Sequence, residues 1–197
     1  GSPESNLESY GGAAAFVFVS AITVTNNVFV RNQGGDTGDG LSFWYDDGGT
    51  EYAGFYIANN TFYDHDQSIG ILGVPTGAVE IVNTAFISSP IATKWGKPGP
   101  HGTASYILVD KRSDFSAPPT ITATHILTGP IRFVAPELLD FHLMPNSSAI
   151  DAGDPAGVPP APPVDIEGTP RPYGKAVDIG AYEWHGQGTY LGEVWKD

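Results

Sequence analysis

Two short stretches carry residue types able to move protons. "FYDHD" at 62–66 sets Tyr63, Asp64, His65 and Asp66 together, and "DKRSD" at 110–114 sets Lys111 beside Arg112. Tyr, His and Asp act as general acids and bases when held within hydrogen-bond reach of a substrate. Neighbouring residues on a strand face opposite sides, so Lys111 and Arg112 reach one substrate only from a loop. "NQGGDTGDGLSFWYDDGGTE" at 32–51 adds Asp36, Asp39, Asp46, Asp47 and Glu51. Such oxygens suit a calcium ion, with Asp36, Asp39, Asp46 and Asp47 as ligands, although the spacing is not that of an EF-hand. A solvated, turn-rich loop is the competing reading. Asp46, Asp47 and Asp64 also offer the two or three carboxylates of a glycosidase.

Other chemistries are excluded or unsupported. The histidines, His65, His101, His125, His142 and His185, share no zinc-ligand spacing. With no cysteine, disulfides and thiolate metal sites are ruled out. No P-loop, dinucleotide fingerprint or G-x-S-x-G motif occurs. Trp44, Tyr45, Tyr52, Phe55, Tyr56 and Trp95 are the residues for a sugar-stacking surface. Strand alternation turns about half of such residues inward, and Phe43 and Phe55 are expected in the core.

The elements that must position these groups are strands. The 197 residues include 25 Gly and 17 Pro, and the apolar runs are short and rich in Val, Ile, Thr, Phe and Tyr. At 41% hydrophobic and 12% aromatic the chain can build a core. No run approaches the roughly 18 apolar residues of a membrane helix. The net charge of −13 divides unevenly: −9 over residues 1–90, +3 over 91–132 and −7 over 133–197. Nucleic acid is not an expected partner of so acidic a chain.

Internal repetition is the main signal. "ITVTNNVF" (22–29), "FYIANNTF" (55–62) and "VEIVNTAF" (79–86) align Val24, Ile57 and Ile81, then Asn26, Asn59 and Asn83, then Phe29, Phe62 and Phe86. A weaker fourth copy, "TITATHI" (120–126), sets Ile126 under Phe86 and Ala123 in the Asn position. "GGAAAFVFV", "GDGLSFWY", "SIGILGV" and "TASYILV" read as an earlier strand of each repeat. A constant strand motif with variable insertions predicts parallel strands about 4.8 Å apart, with like residues stacked. Asn26, Asn59 and Asn83 are then expected to form a side-chain ladder at a turn. Arg31 and Asp64, each five residues past its Asn, are expected to pair. A β-sandwich would also give alternating strands but no Asn column in register.

The repeats resemble right-handed parallel β-helix (pectin-lyase-like) proteins of bacterial secreted and surface families. "FHLMPNSSAIDAGDP" followed by "DIEGTPRPYGKAVDIGAYEW" resembles their C-terminal block over roughly residues 140–184. The resemblance implies an all-β chain: a short β-solenoid of about four coils over 1–134, with a loop-rich closing segment and tail of the same domain over 135–197. A solenoid end exposes strand edges and needs a cap. Residues 135–184 are read as that cap, with Asp151, Asp154, Asp165 and Asp178 closing turns and Arg171 tying the carboxylates together. Asp151, Arg171, Asp178 and Glu183 are given structural roles. With no cap evident before Tyr10, the first coil is expected to meet further coils, another copy or another chain. The resemblance further implies an extracellular or cell-surface module for display, assembly or glycan contact. Its alternative is a lyase or hydrolase of acidic polysaccharides, because enzymes of this fold use Tyr, His and Asp, or Lys and Arg with calcium, on uronates.

Overall fold

The computed structural model describes residues 12–17, 21–34, 38–44, 54–72, 77–89, 101–111, 115–116, 120–156 and 162–186. Among them there is no α-helix, and one 3-10 turn, Pro136–Leu138. The chain is all-β, and its large sheets are parallel. Strands β1 (Ala14–Val17), β4 (Leu41–Trp44) and β7 (Ile69–Leu72) form one three-stranded sheet. The second sheet runs β2 (Ala21–Thr25), β5 (Gly54–Ala58), β8 (Ala78–Ile87), β9 (Gly102–Val109) and β10 (Ile121–Thr128). Two short strands extend its first rows: β3 (Val28–Val30) pairs β6 (Thr61–Tyr63), which pairs the second half of β8. An antiparallel pair, β11 (Phe133–Ala135) and β12 (Asp140–Leu143), opens the C-terminal segment.

The core lies between the two parallel sheets. Leu41, Phe43, Ile69 and Ile71 of the first meet Phe55, Ile57, Ile81 and Phe86 of the second, and the Phe43 and Phe55 rings lie 4.4 Å apart. Both residues are buried, as the alternation predicts. Register stacks like on like: Val24, Ile57 and Ile81 form one column, and the Phe29, Phe62 and Phe86 rings stack at 4.7 and 4.9 Å.

The later repeats depart from the predicted alignment. Phe86 pairs with Val109, and Val109 with Thr128, so Ile126 sits under Ile107 instead. "TASYILV" is thus a full member of the repeat column and not an earlier strand. The true marker is backbone conformation. Asn26, Asn59, Asn83, Tyr106 and His125 all have φ near +50°, a left-handed bend between the two halves of each repeat. Asn takes this conformation most easily, but Tyr and His are also found there. Here Tyr106 and His125 stack ring on ring at 4.4 Å.

The side-chain ladder also sits one residue further along than expected. Asn60 Oδ1 accepts from the backbone N–H and Nδ2 of Asn27, and Asn60 Nδ2 donates to the carbonyls of Val24 and Ala58. Asn59 is buried with neither side-chain polar atom paired. Asn26 and Asn83 instead reach the C-terminal segment. Asn26 Nδ2 donates to Val164 O, and Asn83 Oδ1 accepts from Asp154 N.

That segment does not cover an end of the sheets. It lies along their flank, because the repeats carry apolar residues on both faces of their second halves. Val28, Val30, Tyr63, Ala85, Ile87, Leu108 and Leu127 point away from the first core and pack under Phe133, Phe141, Leu143, Ala149 and Ile179. Gly180 shows how close the approach is: at φ +115°, an added Cβ would lie 2.8 Å from Thr61 Oγ1.

Candidate functional site

Among the described residues, the edge of the first repeat is one open feature of the fold. Sheet order leaves β2 and β10 as the outer strands of the large sheet, and β3 pairs only with β6 among the described residues. Half of the N–H and C=O groups of an outer strand point away from the sheet. Beside β3 runs a groove of about 710 Å³, walled by Val28, Val30, Leu139, Phe141, Ile166 and Tyr182. Leu138 and Leu139 on its rim are 82% and 63% exposed, which marks an apolar surface rather than a scattered residue. Phe29 ends the phenylalanine stack only half-buried, whereas Phe62 and Phe86 are fully enclosed. The ladder ends here as well, since Asn27 Oδ1 accepts no hydrogen bond among the described residues.

Charged groups frame this groove. Arg31 Nε donates to Asp64 at 3.1 Å, as the repeat spacing predicts, and Nη2 donates to Glu137 at 3.2 Å. The guanidinium carbon lies 5.6 Å from the Tyr63 ring centre. On the other wall His142 bridges Asp140 through Nδ1 and Glu167 through Nε2. Burial disfavours its charge, but these two carboxylates outweigh that and raise its pKa above 6.5.

The residues proposed for chemistry diverge. Tyr63 packs edge-on to Phe141 and Phe133 in the second core. Asp64 is at the surface with Arg31. His65 is buried between Ser89 Oγ, 3.2 Å from Nδ1, and Asn32 Oδ1, 3.1 Å from Nε2. Burial lowers the His65 pKa, and Ser89 is fully enclosed, so the nucleophile end of this Ser–His–Asn chain is closed to a substrate. Lys111 is exposed just past β9, near an open hollow lined by Ile87, Asp110, Thr128 and Ile131. Arg112 lies outside the described residues, as do Asp36, Asp46 and Asp47. Asp39 is buried, and its two oxygens accept from Gly34 N at 2.7 Å and Gln67 N at 2.8 Å. Those bonds close a turn, and no three His, Asp or Glu side chains among the described residues are arranged to hold a metal ion.

Asp151, Arg171, Asp178 and Glu183 meet in a polar network. Arg171 Nη1 donates to Glu183 at 2.7 Å and to the Asp178 carbonyl, and Nη2 donates to the Gly180 carbonyl and Asn26 Oδ1. Glu183 also accepts from Tyr173 N and Asp178 N. Asp178 accepts from Asp151 N and Trp184 N, and burial pushes its carboxyl up to about 7 against those two donors. Asp165 accepts from the N–H groups of Glu167, Thr169 and Glu183. Sequence reading identified these residues from the resemblance, but missed the groove, the Asn27–Asn60 ladder and the His142 bridge. The signal for the groove was the apolar "NVFV" at 27–30, whose alternate residues face two different cores.

Compared with known proteins, the chain matches no family model, no curated protein and no solved structure.

Proposed function

We propose that the chain is a short right-handed parallel β-helix of the pectin-lyase-like kind, serving as a non-catalytic bacterial extracellular or cell-surface module whose work is assembly and contact. The solenoid reading is supported by the chain's alternation between the two sheets, β1 to β2 and β3, then β4 to β5 and β6, then β7 to β8, always parallel. Right-handed crossovers follow from strand twist. The observation that carries the contact role is the edge of the first repeat, where, among the described residues, the Phe stack and the Asn ladder both stop in mid-pattern beside an apolar groove.

A second reading, a lyase or hydrolase of acidic polysaccharides, draws on exposed Lys111 beside the hollow at Asp110 and Thr128. The deciding experiment incubates the purified chain with uronate polymers, with and without calcium, alongside glycan-binding measurements and solution mass. Turnover that disappears in Lys111→Ala or Arg112→Ala would overturn the non-catalytic reading. Absence of turnover together with self-association or glycan binding supports it.

A further inference from the structure

We propose that the two outer edges of the large sheet are complementary halves of one joint, so that β10 of one copy adds in parallel to β2 and β3 of the next. This rests on the assembly reading above and names the partner as a second copy of this chain.

The two outer strands carry nearly the same sequence. β2 contains Ile22-Thr23-Val24-Thr25 and β10 contains Ile121-Thr122-Ala123-Thr124. The observed register already places them in the same columns. Ile22, Phe55, Val79, Gly102 and Ile121 align across the sheet, and the other positions follow. Joining two copies therefore sets Ile121 on Ile22, Thr122 on Thr23, Ala123 on Val24 and Thr124 on Thr25. Matched Thr pairs and aliphatic pairs are favourable neighbours across strands.

Backbone phase agrees. Gly102 N donates to Thr120 O, so Thr120 and Thr122 face β9, and Ile121 and Ala123 turn their N–H and C=O outward. Asn26 N donates to Ala58 O, so Val24 faces β5, and Thr23 and Thr25 turn outward. Parallel pairing then needs Ala123 N to meet Thr23 O and Thr25 N to meet Ala123 O, and among the described residues none of these groups has another partner. Past the bend, Gly129 N donates to Val109 O, which turns Ile126 outward. Ile126 lies in the column of Asn27, Asn60 and Thr84. Its N–H is the donor that Asn27 Oδ1 lacks, as Asn27 N is the donor for Asn60 Oδ1.

Exposure points the same way. Thr122, Ala123, Thr124 and His125 are exposed on β10, as are Ala21 and Thr23 on β2, whereas Phe55 to Ala58 of the inner strand β5 are buried. The joint uses different surfaces on the two partners, so repetition gives an open row of copies instead of a closed dimer.

Sedimentation velocity of the full chain over a concentration series, at low and high salt, tests this with Ala123→Pro and Thr23→Pro. Each removes one outward N–H, a change that outer strands tolerate. Ala123→Glu serves where a proline variant loses its wild-type circular dichroism. The expected wild-type result is an average mass that rises past the dimer with concentration at both salt levels. Each variant alone loses association by more than about tenfold. An equal mixture of the two proline variants regains dimers and stops there, since one intact edge of each kind remains. A wild-type chain that is monomeric throughout overturns the joint. Assembly undiminished in both variants also overturns it, while leaving the assembly reading in place. A monomer that turns over or binds glycan removes the joint and the assembly role together.

Discussion

Within the sheets, Phe29, Phe62 and Phe86 lie ring on ring, and Asn27 and Asn60 bond in the same register. In the C-terminal segment, Arg171, Asp165, Asp178 and Glu183 occupy the interior, each bonded to backbone N–H or C=O groups. The first region gains its order by repetition, since any repeat presents the same columns to the next. The second has no repeat and so fixes a unique path with charges that fit only one arrangement. Buried charges add little net stability compared with well-packed apolar groups, yet removing one partner is costly.

The largest effects should separate the regions. Arg171→Ala strands Glu183 and Asp178 without their cation and is expected to cost about 3–5 kcal/mol. Hydrogen exchange should then rise over 144–186 while β5 and β8 stay protected. Phe62→Ala should cost a comparable 3–5 kcal/mol or so, but raise exchange across both regions, because Phe62 lies in the core on which the segment rests. Equal exchange patterns in the two variants would erase the distinction.

A smaller effect tests where the ladder lies. Asn60→Ala leaves the Asn27 N–H without its acceptor and takes one donor from the Val24 and Ala58 carbonyls, and is expected to cost about 1–3 kcal/mol. Asn59→Gly removes a side chain with no hydrogen bond and relaxes a φ of +54°, so thermal denaturation should show a smaller loss or a gain.

A further test is a pH dependence of opposite sign in the two regions. Asp178 has a folded pKa raised from 3.8 to about 7, so its contribution is complete below 3.8 and is lost as pH rises through 7. His142, also raised, acts in the same sense above 6.5. His65 is lowered by burial, so its contribution is complete above 6.5 and is lost as pH falls through its folded value. Segment-resolved exchange should therefore show the C-terminal segment loosening toward pH 8 and the strands around His65 loosening in acid. Asp178→Asn should flatten the first trend and leave the second.

The first three repeats were legible because Val24, Asn26 and Phe29 recur with their types intact at 59 and 83, or beside them. The fourth and fifth were hidden by chemistry. The bend that marks each repeat needs a backbone conformation, not an Asn, and Tyr106 and His125 fill it. A visible clue was the match of "TASYILV" at 103–109 with "TATHILT" at 122–128. Buried charge was legible at Asp151, Arg171, Asp178 and Glu183 only as a resemblance, and its placement was not. A network of side chain to backbone bonds has no period, so nothing in the order of residues says which surface it will lie against. The candidate chemistry at Tyr63, Asp64 and His65 dispersed for a simple reason: three successive residues at a strand end face a core, the solvent and a turn.

The bond from Arg171 to Asn26 joins residues 145 positions apart, and the one from Ala181 to Thr61 spans 120. During synthesis the repeats emerge first and can pair with their neighbours as they appear. Their second apolar face waits, uncovered, until residues 133–184 have been made. Contacts of such long range are slow to form and leave the chain exposed to aggregation in the interval. Maturation is thus gated by the segment over 133–184, and truncations within it should be felt as failures of yield before they are felt as failures of shape.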